Sequence, residues 1–334
     1  MTDSHHPQLT PYAGLNPQLL LDAIEQCCGL ECDGRLQALN SFENRVYQVG
    51  LADGSAVVAK FYRPERWSAA AIQEEHDFAF ALAAREIPIV APLLLHQRTR
   101  HEYAGFQFAV YPKRGGRTPE FEDPAILRWL GRFIARIHAV GRLQPFVERP
   151  QLTIENYGWE PSQLVLDSDF VPTDLYDAYA SVVDDVLERV EHCWAEVGAV
   201  ANLRLHGDCH AGNMLWTDAG PHFVDLDDAR MGPAVQDLWM CLSGSPQTQQ
   251  VQLTALLEGY SEFLSFNPDE LRLIESLRTL RMVHYTGWLA RRWDDPAFPV
   301  SFPFFNTQRF WQDHILALRE QAAALDEPSL QWHP

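Results

Sequence analysis

The chain has 334 residues, 46% of them hydrophobic and 21% charged, which is the composition of a globular protein with room for one large domain or two lobes. Its net charge of −19 argues against nucleic acid as a main partner, and no long apolar run or apolar signal core indicates a membrane segment. The six cysteines show no paired CxxC spacing and suit free thiols in a reducing cytosol, so we expect a cytoplasmic protein.

Strand-like and helical periods alternate over the first 111 residues. Residues 17–29 carry apolar side chains at helical spacing, and Gly29 can end that helix. Alternating residues at 36–39 and 46–49 and the apolar run 56–62 predict three antiparallel strands. Ser68 is a predicted cap for a helix over 69–86. The segments 89–96 and 106–111 are predicted to complete the sheet, with a turn at 102–105.

The loop between the first two strands, residues 40–45, reads NSFENR and contains no G-x-G-x-x-G motif. Backbone N–H groups and the Ser41 hydroxyl can contact phosphate oxygens, as small polar residues in a turn often do. A hairpin turn rich in small polar residues is an equally good interpretation of this segment alone.

Lys60 ends the apolar run of the third predicted strand, and the helix that follows carries Glu74 and Glu75. Kinases use such a strand lysine, paired with a helical glutamate, to hold the α- and β-phosphates of ATP. Glu75 is the predicted partner, because Phe78 and Leu82 follow it at helical spacing and place it on the stripe that faces the sheet. Glu74 is the alternative.

Glycine and proline cluster at 112–119, where the apolar period stops. This predicts a nucleotide-binding lobe over 1–111, a linker over 112–119 and a catalytic and substrate lobe over 120–334. Residues 108–111 are the predicted hinge, whose backbone meets the adenine. Helical patterns follow at 126–137, 174–197, 249–264, 269–292 and 307–325.

The most informative stretch is LHGDCHAGN at 205–213, followed by Asp225 in the run FVDLDD. A strand at 203–205, a turn at Gly207 and a hairpin of 214–216 with 222–226 are predicted here. The hairpin brings Asn213 and Asp225 together, with Asp208 in the preceding loop. An Asp, an Asn five residues later and a second Asp are the groups that phosphoryl transfer from Mg-ATP requires. Asp208 would accept the proton of the acceptor hydroxyl, while Asn213 and Asp225 would bind Mg²⁺.

Two other interpretations of this stretch exist. The polar residues can form a buried loop that only caps turns. His206, Cys209 and His210 can also suggest zinc, but Gly207 and Gly212 argue against the helix on which an i, i+4 histidine pair binds metal. Further along, Asp237 is predicted to anchor the loop after Asp225 by hydrogen bonding.

The motif HGDxHxxN at 206–213 resembles that of the aminoglycoside phosphotransferase and choline kinase superfamily. Longer strings resemble the bacterial stress response kinase A (YihE/RdoA) family across residues 30–300: NSFENRVYQ at 40–48, KFYRPERW at 60–67, the segment 205–213, the segment 223–240 and RRWxDPAFP at 291–299. The resemblance implies an ATP-dependent serine/threonine protein kinase, cytoplasmic and monomeric, in which Ser41 contacts ATP.

The sequence therefore predicts an α/β, bilobal, protein-kinase-like fold. Its small N-terminal lobe has an antiparallel sheet and one helix, and its larger lobe is mostly helical. The predicted site consists of Asp208 and Asp225 as catalytic residues, Asn213 and Asp225 as Mg²⁺ ligands, and Ser41, Lys60 and Glu75 on the nucleotide. A kinase of small molecules such as amino alcohols, sugars or aminoglycosides, and a nucleotide-binding regulator without turnover, are the alternatives. The catalytic motif itself does not separate protein from small-molecule acceptors.

Overall fold

A computed structural model describes residues 10–333. The prediction for residues 1–8, a disordered or tag-like end, concerns residues outside this range. The N-terminal part contains two helices and five strands: α1 (Pro17–Cys28), β1 (Cys32–Ala38), β2 (Arg45–Leu51), β3 (Ala56–Phe61), α2 (Ala69–Ala83), β4 (His101–Tyr103) and β5 (Phe106–Pro112). The strands form one antiparallel sheet in the order β1-β2-β3-β5-β4. We call this part the sheet lobe.

Local signals set the ends of both helices in the sheet lobe. The side chain of Asn16 accepts a hydrogen bond from the Leu19 N–H at the start of α1, and Gly29 ends that helix at a φ of 67°. The Ser68 side chain caps α2 in the same way, through the Ala71 N–H. In the centre of the sheet, Lys60 of β3 lies opposite Val46 of β2 and Ala109 of β5. The sheet thereby holds the Lys60 backbone from both sides.

The prediction of a strand over 89–96 is wrong, and β4 at 101–103 is the fifth strand instead. The Val90 N–H donates to the Phe223 carbonyl at 2.9 Å, and the Phe223 N–H donates to the Pro88 carbonyl at 2.8 Å. Proline at 88 and 92 removes donors that a sheet ladder needs. The segment is apolar because it passes between the sheet and the hairpin that carries Phe223.

The remainder of the chain is mostly helical, and we call it the helical lobe. Its helices are α3 (Pro124–Gly141), α4 (Glu160–Leu166), α5 (Tyr176–Val197), α6 (Val235–Trp239), α7 (Pro246–Ser261), α8 (Ile274–Arg292), α9 (Ala297–Ser301) and α10 (Gln308–Leu325). Two short antiparallel pairs join β6 (Leu203–Leu205) to β9 (Arg230–Gly232) and β7 (Met214–Thr217) to β8 (Gly220–Phe223). The mixed architecture predicted from the sequence is confirmed.

Close helix contact organises the core of the helical lobe. At Gly131 of α3 a Cβ atom would lie 1.9 Å from the Leu256 carbonyl oxygen, and at Gly259 of α7 one would lie 1.9 Å from the Arg128 carbonyl oxygen. Only glycine lets these two helices approach so closely. The six cysteines are free thiols, as predicted. Within residues 10–333, no helix is both long enough and apolar enough to cross a membrane.

Candidate active site

The loop between β6 and β7 carries Asp208, and its shape depends on Gly207. Gly207 has a φ of 85°, and a Cβ atom there would lie 2.1 Å from the Asp228 carbonyl oxygen. Any other residue would be strained in this backbone conformation and would also clash. The turn therefore projects Asp208 away from β6 in one defined direction.

Asp237 anchors this loop through hydrogen bonds to its backbone. Its carboxylate accepts hydrogen bonds from the backbone N–H groups of His206, at 2.8 Å, and Gly207, at 2.9 Å. The ring of His138 lies 3.1 Å from the same carboxylate, and both side chains are buried. The sequence predicts that Asp237 anchors the loop after Asp225. That placement is wrong, because the hydrogen bonds go to the loop before Asp208.

Asp208 is surrounded by donors. Arg281 Nη1 lies 2.8 Å from its Oδ1, while His210 Nε2 lies 3.3 Å and Asn213 Nδ2 lies 3.1 Å from its Oδ2. Burial acts to raise the pKa of Asp208, but the hydrogen bond from His210 and the charge of Arg281 outweigh it and hold the pKa below the usual range. Asp208 is therefore ionised at neutral pH, as a proton acceptor must be.

Asn213 and Asp225 lie at the two ends of the β7–β8 hairpin region. The Asn213 Nδ2 donates to the Asp208 carbonyl oxygen, at 2.9 Å, as well as to its carboxylate, which leaves the amide oxygen of Asn213 for another partner. Asp225 follows β8 by two residues rather than ending the strand, and it has the left-handed φ of 60°. Such backbone strain at a non-glycine residue is often found at functional sites.

These two residues fit a magnesium ion. Asn213 and Asp225 both line a cavity of about 330 Å³, and the Asp225 side chain is 46% exposed towards solvent. Mg²⁺ prefers oxygen ligands and usually takes one or two from the protein, leaving positions for waters and substrate phosphates. The zinc interpretation has no such geometry, since no group of three or more His, Cys, Asp or Glu side chains in residues 10–333 gathers as a metal site.

Lys60 is buried in the wall of the same cavity, among three carboxylates. Its Nζ lies 3.4 Å from Glu75 Oε1, 3.0 Å from Asp225 Oδ1 and 3.1 Å from Asp227 Oδ1. Burial acts to lower the pKa of Lys60, but these three charges outweigh it and raise the pKa well above the usual value. Lys60 is therefore a permanent cation at the point where the sheet lobe meets Asp225.

The structure pairs Lys60 with Glu75 and gives Glu74 another task. The Glu74 carboxylate accepts hydrogen bonds from three consecutive backbone N–H groups, at residues 147–149, with distances of 2.7 to 2.9 Å. It thus ties α2 to the segment after α3. Adjacent residues on one helix point in different directions, so only one of the two can reach Lys60.

Three arginines complete the charge network. The sequence suggests that Arg281 faces the substrate cleft, with surface charge as an equal alternative, but it did not predict the roles of Arg149 and Arg66. Arg149 Nη2 lies 2.7 Å from the second oxygen of Glu75, and its Nη1 donates to the Asp227 carbonyl oxygen at 2.6 Å. Arg66 pairs with the carboxylates of Asp227 and Asp228. The third, Arg281, contacts Asp208. No local signal marks these residues, because their partners lie more than seventy positions away in the chain.

Ser41 lies in the rim of the 330 Å³ cavity together with Asn40. Apolar side chains line the same cavity, among them Val46, Val58 and Ala79. A cavity lined by apolar side chains together with Lys60 and Asp225 is suited to a ligand that combines a flat ring with phosphates. Five of the six predicted site residues therefore line one cavity. The sixth, Asp208, is connected to that cavity by its hydrogen bond with Asn213.

The predicted hinge enters this cavity only in part. Tyr111 lines it, followed by Pro112 and Arg114. Phe108, like its two neighbours 109 and 110, is fully buried in the sheet. Residues 113–123, which lead on to α3, form neither helix nor strand apart from a bridge between Arg117 and Trp216.

The loop over Ser41 is attached to the helical lobe. The Glu43 carboxylate accepts hydrogen bonds from the indole N–H of Trp288, at 2.6 Å, and from the Arg292 guanidinium, at 3.0 Å. The Phe42 ring lies 4.8 Å, centroid to centroid, from the Phe302 ring. The two lobes are therefore in contact at this loop as well as at Lys60 and Asp225.

Solved structures share this architecture. An amicoumacin kinase in complex with AMP-PNP, Ca²⁺ and amicoumacin aligns over 95% of each chain, with a TM-score of 0.72 and 18% identity. A microcompartment-associated aminopropanol kinase aligns over 93% of this chain and 95% of its own, with a TM-score of 0.67 and 16% identity. At these identities the similarity establishes the fold, which is that of the kinase-like phosphotransferases.

Curated relatives are much closer in sequence. The stress response kinase A of Escherichia coli strain K12 is 46% identical over 320 residues, which are 96% of each chain. A protein of Salmonella typhimurium strain LT2 named serine/threonine protein kinase RdoA is 45% identical over 321 residues, again 96% of each chain. The model of the phosphotransferase enzyme family matches residues 35–274. The chain therefore belongs to the phosphotransferase enzyme family and, within it, to the family of the stress response kinase A proteins.

Proposed function

We propose that this kinase is an ATP- and Mg²⁺-dependent serine/threonine protein kinase that acts in the cytoplasm as a monomer and that also phosphorylates itself. The residue types and the relatives named above support this proposal. The geometry of the site gives each residue its role, on the nucleotide side or on the acceptor side.

On the nucleotide side, Lys60 supplies a fixed positive charge for the phosphates, and Glu75 and Asp227 hold it in place. The free amide oxygen of Asn213 and the carboxylate of Asp225 would hold Mg²⁺, which supplies charge neutralisation for the transferring phosphoryl group. Ser41 and its neighbouring N–H groups would contact phosphate oxygens from above. Most of this machinery is preorganised, so little rearrangement is needed for transfer.

On the acceptor side, Asp208 takes the proton of the attacking hydroxyl. One observation supports a polypeptide acceptor. Asp208 is not among the residues that line the nucleotide cavity, and its ion-pair partner Arg281 is 45% exposed. A small-molecule kinase would be expected to enclose most of its acceptor in a pocket of convergent polar groups. A base that is 20% exposed, beside an arginine that is 45% exposed, suits a segment of protein chain.

The charge around Asp208 also bears on the small-molecule alternative. Amino alcohols and aminoglycosides are cations, and a site for them needs carboxylates beside the base. Here the neighbours of Asp208 are Arg281 and His210. The alternative without turnover has no support from the residues, because Asp208, Asn213 and Asp225 are all present. Asn213 is hydrogen-bonded to Asp208 and lines the same cavity as Asp225.

The test is a transfer assay with radiolabelled ATP and Mg²⁺. Casein-like proteins and the enzyme itself are offered in one series, and amino alcohols, sugars and aminoglycosides in another. We expect labelled protein in the first series and none of the small molecules labelled above the level of an Asp208→Asn control. Labelled small molecules with unlabelled protein would refute the protein-kinase proposal in favour of the alternative. No transfer to any acceptor would favour a nucleotide-binding regulator.

A further inference from the structure

We propose that Arg281 determines which acceptors this kinase accepts, by favouring a serine or threonine with an acidic neighbour and rejecting one with a basic neighbour. The inference rests on the proposed function, since it concerns the polypeptide that brings its hydroxyl to Asp208. It adds a recognition residue on α8 and the charge of the sequence that this residue recognises.

Arg281 lies beside the carboxylate that the acceptor hydroxyl must reach. Arg281 Nη1 lies 2.8 Å from Asp208 Oδ1, so an acceptor hydroxyl that reaches Asp208 comes within a few ångströms of the guanidinium. The other carboxylate oxygen, Oδ2, already accepts from His210 and Asn213. A carboxylate oxygen has two lone pairs, and the acceptor hydroxyl can therefore share Oδ1 with Arg281.

The Arg281 guanidinium has hydrogen-bond donors that Asp208 does not use. A guanidinium has five N–H donors in a fixed fork. Among the described residues, Asp208 is the one carboxylate within ion-pair distance of Arg281 and the one hydrogen-bond partner of its side chain. The side chain is 45% exposed. Several donors thus face solvent at the place where residues next to the acceptor serine or threonine must lie.

The face of α8 that carries Arg281 offers a surface for the rest of the acceptor chain. Arg281, Tyr285 and Trp288 follow one another on α8 at helical spacing, which puts them on one face. Trp288 also lines a second, larger cleft of about 830 Å³, which Asp228 and Arg230 line as well. In that cleft Arg230 is paired with Asp228 and Arg63 with Asp295. At the hydroxyl itself, the arginine beside Asp208 is Arg281.

The chemical consequence is that the charge of the residue beside the acceptor hydroxyl affects binding. A carboxylate beside the acceptor hydroxyl gains a charge-assisted hydrogen bond from Arg281. An ammonium or guanidinium in the same place meets a like charge. We therefore expect a preference among peptides that is set by the charge of the residue beside the acceptor hydroxyl.

The experiment uses three peptides that differ only in the residue next to a single serine, which is Asp, Ala or Lys. The measured quantity is kcat/KM for each peptide with the wild-type enzyme and with Arg281→Gln and Arg281→Glu. Arg319→Glu, on the exposed face of α10, makes the same change in net charge away from the site and is the matched control. Thermal unfolding and ATP binding of every variant verify the fold.

The wild type and the control are expected to prefer the Asp peptide over the Lys peptide by about 10-fold or more, the size of one hydrogen bond to a charged group. Arg281→Gln should remove the preference and Arg281→Glu should reverse it, whatever the absolute rates. A purely structural role would lower all three rates together and leave their ratio unchanged, which would overturn the inference. If the wild type labels no peptide and no protein, the proposed function itself fails, and the two failures are thus distinguishable.

Discussion

The two halves of the site differ in how their charges are paired. In the nucleotide half, Lys60 and Glu75 are 7% and 3% exposed and each has two or more charged partners, while Asp225, at 46%, is open to the cavity. In the acceptor half, Asp208 is 20% exposed, and its two partners are more open, His210 at 38% and Arg281 at 45%. A buried charge without partners is costly, so the nucleotide half admits few changes, whereas the acceptor half can vary with little cost in stability.

This contrast matches the division of chemical tasks. Every kinase of this fold must hold the same triphosphate, and a rigid network of matched charges provides one geometry for it. The acceptor differs from one kinase to the next, and a base with exposed, exchangeable neighbours accommodates that difference. Four tests would break or sharpen the comparison.

The largest effect is expected at Asp208. Asp208→Asn removes the proton acceptor and should lower phosphoryl transfer by ~10²–10⁴-fold, the usual size of general-base catalysis. Because Asp208 lies outside the cavity lining, the affinity for Mg-ATP should stay close to that of the wild type. Transfer rates and nucleotide titrations measure the two quantities separately. Full transfer activity in this variant would remove Asp208 from the mechanism.

The second effect concerns Asp225, where the halves meet. Asp225→Ala should weaken Mg-dependent nucleotide binding much more than nucleotide binding in the presence of a chelator, because the lost group is the proposed metal ligand. Calorimetric titration with and without Mg²⁺ gives the ratio. Lys60 keeps Glu75 and Asp227 as partners in this variant, so the fold should persist. Equal losses in both conditions would indicate a folding defect instead.

The third effect tests the nucleotide network by a double-mutant cycle. Lys60→Ala and Glu75→Ala should be non-additive in transfer activity, with a coupling energy of ~0.5–3 kcal/mol, because the pair acts as one unit. Glu74→Ala is the control partner, since its carboxylate bonds to the backbone at 147–149 and not to Lys60. Coupling with Glu74 and none with Glu75 would reverse the assignment of the pair.

The smallest effect is expected at Glu43, which attaches the loop over the nucleotide to Trp288 and Arg292. Glu43→Gln keeps the shape of the side chain but removes its charge. It should raise KM for ATP by about 2- to 10-fold with little change in kcat, in line with the loss of a charge-assisted hydrogen bond. Glu31→Gln, at an exposed position of the sheet lobe, is the control. A KM equal to the wild type's would show that the attachment does not position the loop.

The amino-acid sequence by itself determined the elements and the positions of the chemical groups. The helix end at Gly29, the cap at Ser68, the apolar patterns of β2 and β3, and the glycine at 207 are local signals, and each predicts its element or turn from a few neighbouring residues. The Asp–Asn–Asp spacing of 208, 213 and 225 works in the same way, because a single loop and hairpin hold all three. Family resemblance added Ser41 and the kinase-like fold.

Only the tertiary structure decided which distant groups meet. The segment 89–96 was apolar enough for a strand but lies between the two lobes, and Asp237 supports the loop before Asp208 rather than the one after Asp225. Arg149 and Arg281 reach the site from helices and loops more than seventy residues from their partners. Sequence periodicity describes how a segment buries its own face, whereas these contacts depend on how separate segments pack. For that reason the pair of Lys60 and Glu75 could be predicted, whereas the contacts of Arg149 and Asp227 with that pair and of Arg281 with Asp208 emerged only from the folded chain.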